Sequence, residues 1–290
     1  MKISLDRERD AKDTKHWKGL IVNETAQSTL TCLPSARAQN IMLAQRGEPL
    51  FLAAWRDALM IHFEVDTKTL QRDVPFQLDL WKGRAFVSLV AFTMRDMRPR
   101  FGGKLSALLF RPIATHDFLN VRTYVRHGDE AGIHFIAEWL TNRLAVMLGP
   151  STFGLPYHYG RISYQRDLKT GIITGRVADV KSHMALKFEA RFAFGQSGSS
   201  ALPFQPCAIG SLNEWLMERY IAFNSANSVR RFFRVWHPPW PQAGAKTVIA
   251  EKSLLVNRWP WFEHARMVGA NFSPGFDTVW MSRPYRVLQL

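Results

Sequence analysis

The 290-residue sequence contains only two cysteines, Cys32 and Cys207, far apart and in no zinc or redox spacing. Neither a disulfide framework nor a thiolate metal centre is expected, and a reducing compartment is the natural home. Long apolar runs are also missing. Stretches such as Phe86 to Phe92 fall far short of the roughly 20 residues of a membrane-spanning helix. There is no Gly-Xaa-Ser-Xaa-Gly elbow, phosphate loop or dinucleotide fingerprint, so serine hydrolases, nucleotide hydrolases and Rossmann enzymes lack their mechanical signatures. Met1 to Asp13 alternates charges and carries no apolar signal core. With 47% apolar and 21% charged residues, the composition is that of a soluble, cytoplasmic globular protein able to build its core without staples. Neither a cofactor nor a membrane partner is expected.

Positive charge is abundant: 38 Lys and Arg against 24 Asp and Glu give +14. The excess is spread along the chain, with two local knots. Arg95, Arg98, Arg100 and Lys104 fall in a Pro/Gly-containing loop, and Arg230, Arg231 and Arg234 interleave with Phe232 and Phe233. Such knots would suit phosphate or an acidic surface. They keep open an alternative reading, a non-catalytic protein that uses basic loops on nucleic acid or acidic partners. No helix-turn-helix, finger or RNA-recognition signature accompanies them, so nucleic acid is not the expected partner.

Residues 1–46 are polar and show no sustained periodicity, which predicts a poorly ordered extension; residues 47–290 form a single domain. Leu59 to Val65 reads as a strand, after which Asp66 caps a helix over Thr67 to Asp73 that Pro75 ends. Gln77 to Trp81, Lys82-Gly83 and Arg84 to Met94 read as a hairpin. A second hairpin runs from Phe118 to Arg126 and back over Ile133 to Thr141. Its first strand places Leu119, Val121, Thr123 and Val125 on one face and Asn120, Arg122 and Tyr124 on the other. The returning strand places His134, Ile136 and Glu138 together.

A helix opens at Asn142 and stops at Gly149-Pro150. Strands follow at Tyr157 to Gln165, Gly171 to Val177 and Ala185 to Phe194. Ser211-Leu212-Asn213-Glu214 is a capping box opening a helix through Tyr220. Next come a strand over Arg230 to Trp236, a rigid His237-Pro238-Pro239-Trp240-Pro241 corner, and short strands at Lys252 to Val256 and Thr278 to Ser282. Many strands, few helices and no βαβ rhythm predict a mainly β (α+β) protein, a closed or nearly closed antiparallel β-barrel with a few helices packed outside.

In the second hairpin, a turn near Asp129 sets Arg122 opposite or diagonal to Glu138, with Asn120 adjacent and Tyr124 and His134 nearer the turn. A charged pair facing inward is costly unless paired, so it serves either as a structural tie or as a ligand site. The Arg fork suits a planar carboxylate, and Glu138 can hold it or act in proton transfer. Asn120, Arg122, Tyr124, His134 and His237 are ligand-binding candidates. His134, Glu138, His158 and His237 include metal-donor types, but His134 and Glu138 lie about 13 Å apart along a strand, so no metal site is expected.

At Asn120 to Val125, Gly154 to Tyr159, Ser211 to Tyr220 and His237 to Pro241, the sequence resembles the YqjF-like family of uncharacterised bacterial proteins, over roughly residues 50–290. The resemblance implies an acetoacetate decarboxylase-like β-barrel with an enclosed polar cavity. Where the family carries an acidic residue two places before Asn120, this chain has Phe118. The decarboxylase supplies a Schiff-base lysine from a Gly-aromatic-Pro-Lys-Lys stretch; here Gly154-Leu155-Pro156 leads into Tyr157-His158, and no lysine occurs between Lys104 and Lys169. The resemblance therefore adds Tyr157 as a ligand-binding candidate and His158, beside Glu138, as a catalytic candidate. The expectation is a lumen that binds a small organic anion, a carboxylate, without Schiff-base decarboxylation.

Overall fold

The computed structural model describes residues 34–192 and 204–287. Of the expected extension, residues 1–33 lie outside this range, as do Ala193 and Phe194 at the end of one expected strand. Residues 34–43 depart from the expectation of disorder: they form helix α1 (Pro34–Leu43), with Met42 and Ser35 buried. The Ser35 hydroxyl donates to the His237 carbonyl at 2.6 Å, which anchors the helix to the Pro-rich corner.

The sheet is built from β1 (Phe51–Val65), β2 (Gln77–Leu78), β3 (Ala85–Pro99), β4 (His116–His127), β5 (Glu130–Leu140), β6 (Tyr157–Asp167), β7 (Ile172–Asp179), β8 (Ala185–Phe192), β9 (Ile221–Ala226), β10 (Val229–Trp236), β11 (Ala243–Glu251), β12 (Arg266–Met281) and β13 (Tyr285–Arg286). The pairings close on themselves twice. One ring runs β4–β5–β6–β7–β8–β11–β12–β1–β3 and back to β4; a smaller one runs β4–β5–β9–β10–β12–β1–β3. Strands β12, β1, β3, β4 and β5 belong to both.

The forks lie within single strands. Glu138 to Leu140 of β5 pair with β6, whereas Ile133 and His134 pair with β9. This sharing explains why β3 is buried continuously from Ala85 to Met94: each face of a shared strand lines a different core, so both faces are withdrawn from water. Leu89, Val121 and Trp139 face the larger ring's core, and Met60, Val90 and Phe135 the smaller one's.

Helix α2 (Thr67–Asp73) is capped as expected, Asp66 accepting from the Thr69 amide at 2.8 Å. Helix α3 (Gly103–Phe110) follows β3, and α4 (Arg143–Phe153) follows β5. Asn142 caps α4 by accepting from the Ala145 amide at 3.0 Å, but Pro150 does not stop it. The proline removes only one donor near the helix end, and Gly154, in the left-handed region at φ 71°, closes the helix a turn later. In α5 (Leu212–Met217) Ser211 caps the Glu214 amide, while the Glu214 carboxylate accepts from Gly210.

Other expectations need correction. Gln77 and Leu78 pair with β4, so Lys82-Gly83 closes only the bridge between Trp81 and Arg84. Lys252 to Val256 is not a strand: Ser253–Val256 is a short helix, α6, with Leu254 and Leu255 buried. Thr278 to Met281 is the end of the long β12. The first basic knot is not a loop, since Arg95 and Arg98 extend β3 along the start of β1 and Lys104 lies in α3. In the second knot Arg234 pairs with Glu130, and Arg230 lies over the Phe76 ring.

Candidate functional site

The smaller ring encloses a cavity of about 260 Å³. Its polar floor follows from two cross-strand rows. Met60, Val90, Asn120, Glu138 and Tyr157 are successive partners across β1, β3, β4, β5 and β6. His62, Ser88, Arg122 and Phe135 form the next row. Cross-strand partners project to the same face about 5 Å apart, so Asn120, Glu138 and Tyr157 meet in the cavity with Arg122 beside them. The Pro-rich corner adds His237 and Trp240, and α4 covers the end with Gly149 and Phe153.

Arg122 is 7% exposed and makes no ion pair with any described carboxylate. One amino group donates to the Leu216 carbonyl at 3.2 Å and touches the Met60 sulfur at 3.7 Å, while Nε has no partner. Glu218 feels its charge but already accepts from the Tyr220 hydroxyl and the Trp240 amide. Arg219, which also lines the cavity, is neutralised by Asp79 at 2.8 Å.

Glu138 is buried, with Oε2 unpartnered, and desolvation raises its pKa well above the ordinary carboxylate value, which favours the protonated, neutral acid. Asn120 Oδ1 is unpartnered too. Burial, then the neighbouring Glu138 carboxyl, pushes the Tyr157 phenol well up. His237 donates from Nδ1 to the Pro238 carbonyl at 2.7 Å, and burial lowers its pKa to about 4.

Thus Asn120, Arg122, Glu138, Tyr157 and His237 line one cavity. Three other candidates do not join them. Tyr124 lies on the same face but is fully covered, packed on the Trp215 ring, its hydroxyl bonded to the Ser88 hydroxyl at 2.5 Å and the Leu216 carbonyl at 3.0 Å. His134 points to the larger ring, with Nδ1 donating to the Phe223 carbonyl at 2.9 Å. A bulge between Val121 and Arg122 skips Ile136, which reverses the alternation between His134 and Glu138. His158 pairs with Trp139 on the larger ring's side, where Arg258 is 2.8 Å from its Nε2. Burial and then Arg258 lower its pKa to about 4.

Two charged or titratable cavity residues, Arg219 and His116, are absent from the sequence-based candidates. His116 has both ring nitrogens buried and unpartnered, and burial lowers it to about 4. It continues the alternation of Phe118, Asn120 and Arg122 one step further, so starting β4 at Phe118 concealed it.

Residues 52–268 match the DUF2071 family, described as an uncharacterized conserved protein. The chain belongs to this family. A relative of this DUF2071 chain is the uncharacterized protein YqjF of Bacillus subtilis (strain 168), 29% identical over 202 residues, 69% of this chain and 78% of that protein. An acetoacetate decarboxylase-like enzyme from Sphingomonas wittichii RW1 superposes with a TM-score of 0.55 at 16% identity, covering 84% of this chain and 95% of its own. The enduracididine biosynthesis enzyme MppR, solved with pyruvate, gives 0.54 at 12% identity, covering 82% and 90%. These likenesses establish an acetoacetate decarboxylase-like fold for the DUF2071 chain. Among its described residues no lysine lines the cavity, and no helix is long and apolar enough to cross a membrane.

Proposed function

We propose that this DUF2071 protein binds a small organic acid in the smaller ring, its carboxylate on Arg122 and its apolar body against the aromatic walls. The observation that carries the reading is the buried Arg122 guanidinium, which forms no ion pair with any described carboxylate and leaves Nε without a partner. A bound carboxylate supplies the missing charge and accepts from Nε, while neutral Glu138 donates to an oxygen of the ligand. Asn120, Tyr157, His116 and His237 supply further polar contacts. Phe92, Phe118, Phe135 and Trp55 favour an acid with an aromatic or aliphatic body. MppR, which shares the fold, was solved with pyruvate, a carboxylate, and this supports the reading.

Glu138 is the group in the cavity suited to deliver a proton, His158 being turned away. The positions matching the decarboxylase lysines carry Tyr157 and His158, neither of which can form an imine. The reading therefore includes no Schiff-base step. A thermal-shift screen with monocarboxylates tests it: one or more acids should raise the midpoint of the native chain and not of Arg122→Gln. No response to any acid, an equal response in the variant, or borohydride trapping of a covalent acetoacetate adduct would each overturn it.

A further inference from the structure

Seven of the twelve large apolar side chains exposed among the described residues fall in two short segments, residues 101–109 and 144–148. Leu105 and Leu109 of α3 and Met147 of α4 are 68%, 71% and 66% exposed. The two helices are neighbours: Asn142 at the start of α4 donates to the Pro112 carbonyl just after α3 at 2.6 Å, and Phe51 lies between Phe110 and Phe153, 5.6 and 6.1 Å from their rings. They also frame the cavity mouth. The two exposed lining residues, Leu148 and Thr152, come from α4, and half-buried Phe110 from α3, whereas the floor groups Asn120, Arg122 and Glu138 are buried.

Charge decides what covers such a patch. Arg98, Arg100, Lys104, Arg111 and Arg143 surround it, all exposed, and none pairs with a described carboxylate. Residues 97–116 and 141–156 contain no Asp or Glu. A two-fold interface would set this uniformly basic rim against itself, which like-charge repulsion opposes. Apolar side chains projecting from a basic surface are instead what an anionic lipid interface requires, the leucines entering the acyl boundary while the cations stay at the headgroups.

We propose that the rim of α3 and α4 docks this protein on an anionic lipid surface, with the cavity mouth held against the bilayer. The short apolar runs in the sequence argue only against spanning; lying on a surface needs an exposed apolar edge and cations, which folding assembles here. The inference does not depend on which ligand the cavity takes.

Co-sedimentation of the full chain with vesicles tests it. Vesicles of equal parts phosphatidylcholine and phosphatidylglycerol should pellet the protein, with binding roughly tenfold or more weaker to phosphatidylcholine alone and reduced by salt. The triple variant Leu105→Asp, Leu109→Asp, Met147→Asp should lose vesicle binding and keep the wild-type circular dichroism spectrum. Failure of the wild-type chain to bind anionic vesicles, or undiminished binding by a folded triple variant, would refute the proposal. So would light scattering showing a dimer that the triple variant splits, since the patch would then cover a second copy. Arg122→Gln should still pellet with the vesicles, so loss of the acid response and loss of docking are read separately.

Discussion

Arg122 pairs with Phe135 across the β4–β5 ladder, while Asn120, two residues earlier, pairs with Glu138. The bulge between them breaks the symmetry of the two polar rows. It leaves Glu138 opposite an amide and Arg122 opposite a phenyl ring, so the acid and the guanidinium share a cavity without being cross-strand partners. Each therefore keeps unpartnered polar atoms that a ligand can use.

The first consequence concerns Arg122→Met. Removing a buried cation that makes no ion pair relieves desolvation and costs the contacts to Leu216 and Met60 and the longer-range attraction to Glu218. The ligand-free variant is expected to be as stable as the wild type or more so, by on the order of 1 kcal/mol. An acid present at about 100 times its dissociation constant should stabilise the wild type by about 2.7 kcal/mol and leave the variant unmoved. Urea unfolding with and without the acid measures both. A large loss of ligand-free stability would make Arg122 a structural tie.

Glu138→Gln separates a neutral acid from a carboxylate. Because the folded protein holds this proton above the pH at which an unfolded glutamate, near 4.5, releases it, Glu138 contributes its full stability below that pH and loses it as pH rises through the raised folded value. Gln has no proton to lose. The midpoint of the wild type relative to Glu138→Gln should therefore fall steadily from acid to alkaline pH. A difference that grows with pH would mean that Glu138 is ionised in the native state.

The inward set of β4 was legible because alternation is local: Leu119 and Val121 against Asn120 and Arg122 needs no knowledge of partners. The bulge was not, since it arises only when β5 is aligned on β4, and it turned His134 away from Glu138. Tyr157 and His158 adjoin in sequence, yet a strand sends neighbours to opposite faces, so only Tyr157 reaches the cavity. Sharing of strands between two rings was hidden for a similar reason. The run Phe86 to Phe92 shows burial on both faces but not that the two faces belong to different cores. Helix α3 was masked by the Pro and Gly signals around it, which read as a loop until β3 was seen to extend to Pro99.

Five histidines whose pKa is lowered, His62, His116, His134, His158 and His237, shape the acid side of the stability profile. His62 is lowered to about 3 by burial and then Arg122, and His116 and His237 to about 4, chiefly by burial. Unfolded histidines take up protons near 6.5, so below that pH the unfolded state binds protons that the native state refuses, and stability falls as pH drops toward 4. Each excluded proton contributes about 1.4 kcal/mol per pH unit. His116 packs on Phe118 with both nitrogens unpartnered, so His116→Phe should flatten the slope between about pH 6 and 5 by roughly one such proton. Unfolding free energies at the two pH values check this, and an unchanged slope would show that His116 titrates normally.

Gly149 tests how tightly the cavity wall is held. A Cβ at this position would overlap the Tyr157 ring, and the ring cannot retreat without leaving the row it forms with Glu138. Overpacking of this kind typically costs about 1–3 kcal/mol, so Gly149→Ala is expected to destabilise by that amount. Gly244 offers the control, since a Cβ there meets nothing within 4 Å, and Gly244→Ala should leave stability unchanged. If Tyr157 also orients the bound acid, Gly149→Ala weakens the ligand-induced shift beyond what its lower starting stability explains, and Gly244→Ala does not. Equal behaviour of the two variants would mean that α4 moves aside freely and that the wall is set by something other than the packing of Tyr157 on Gly149.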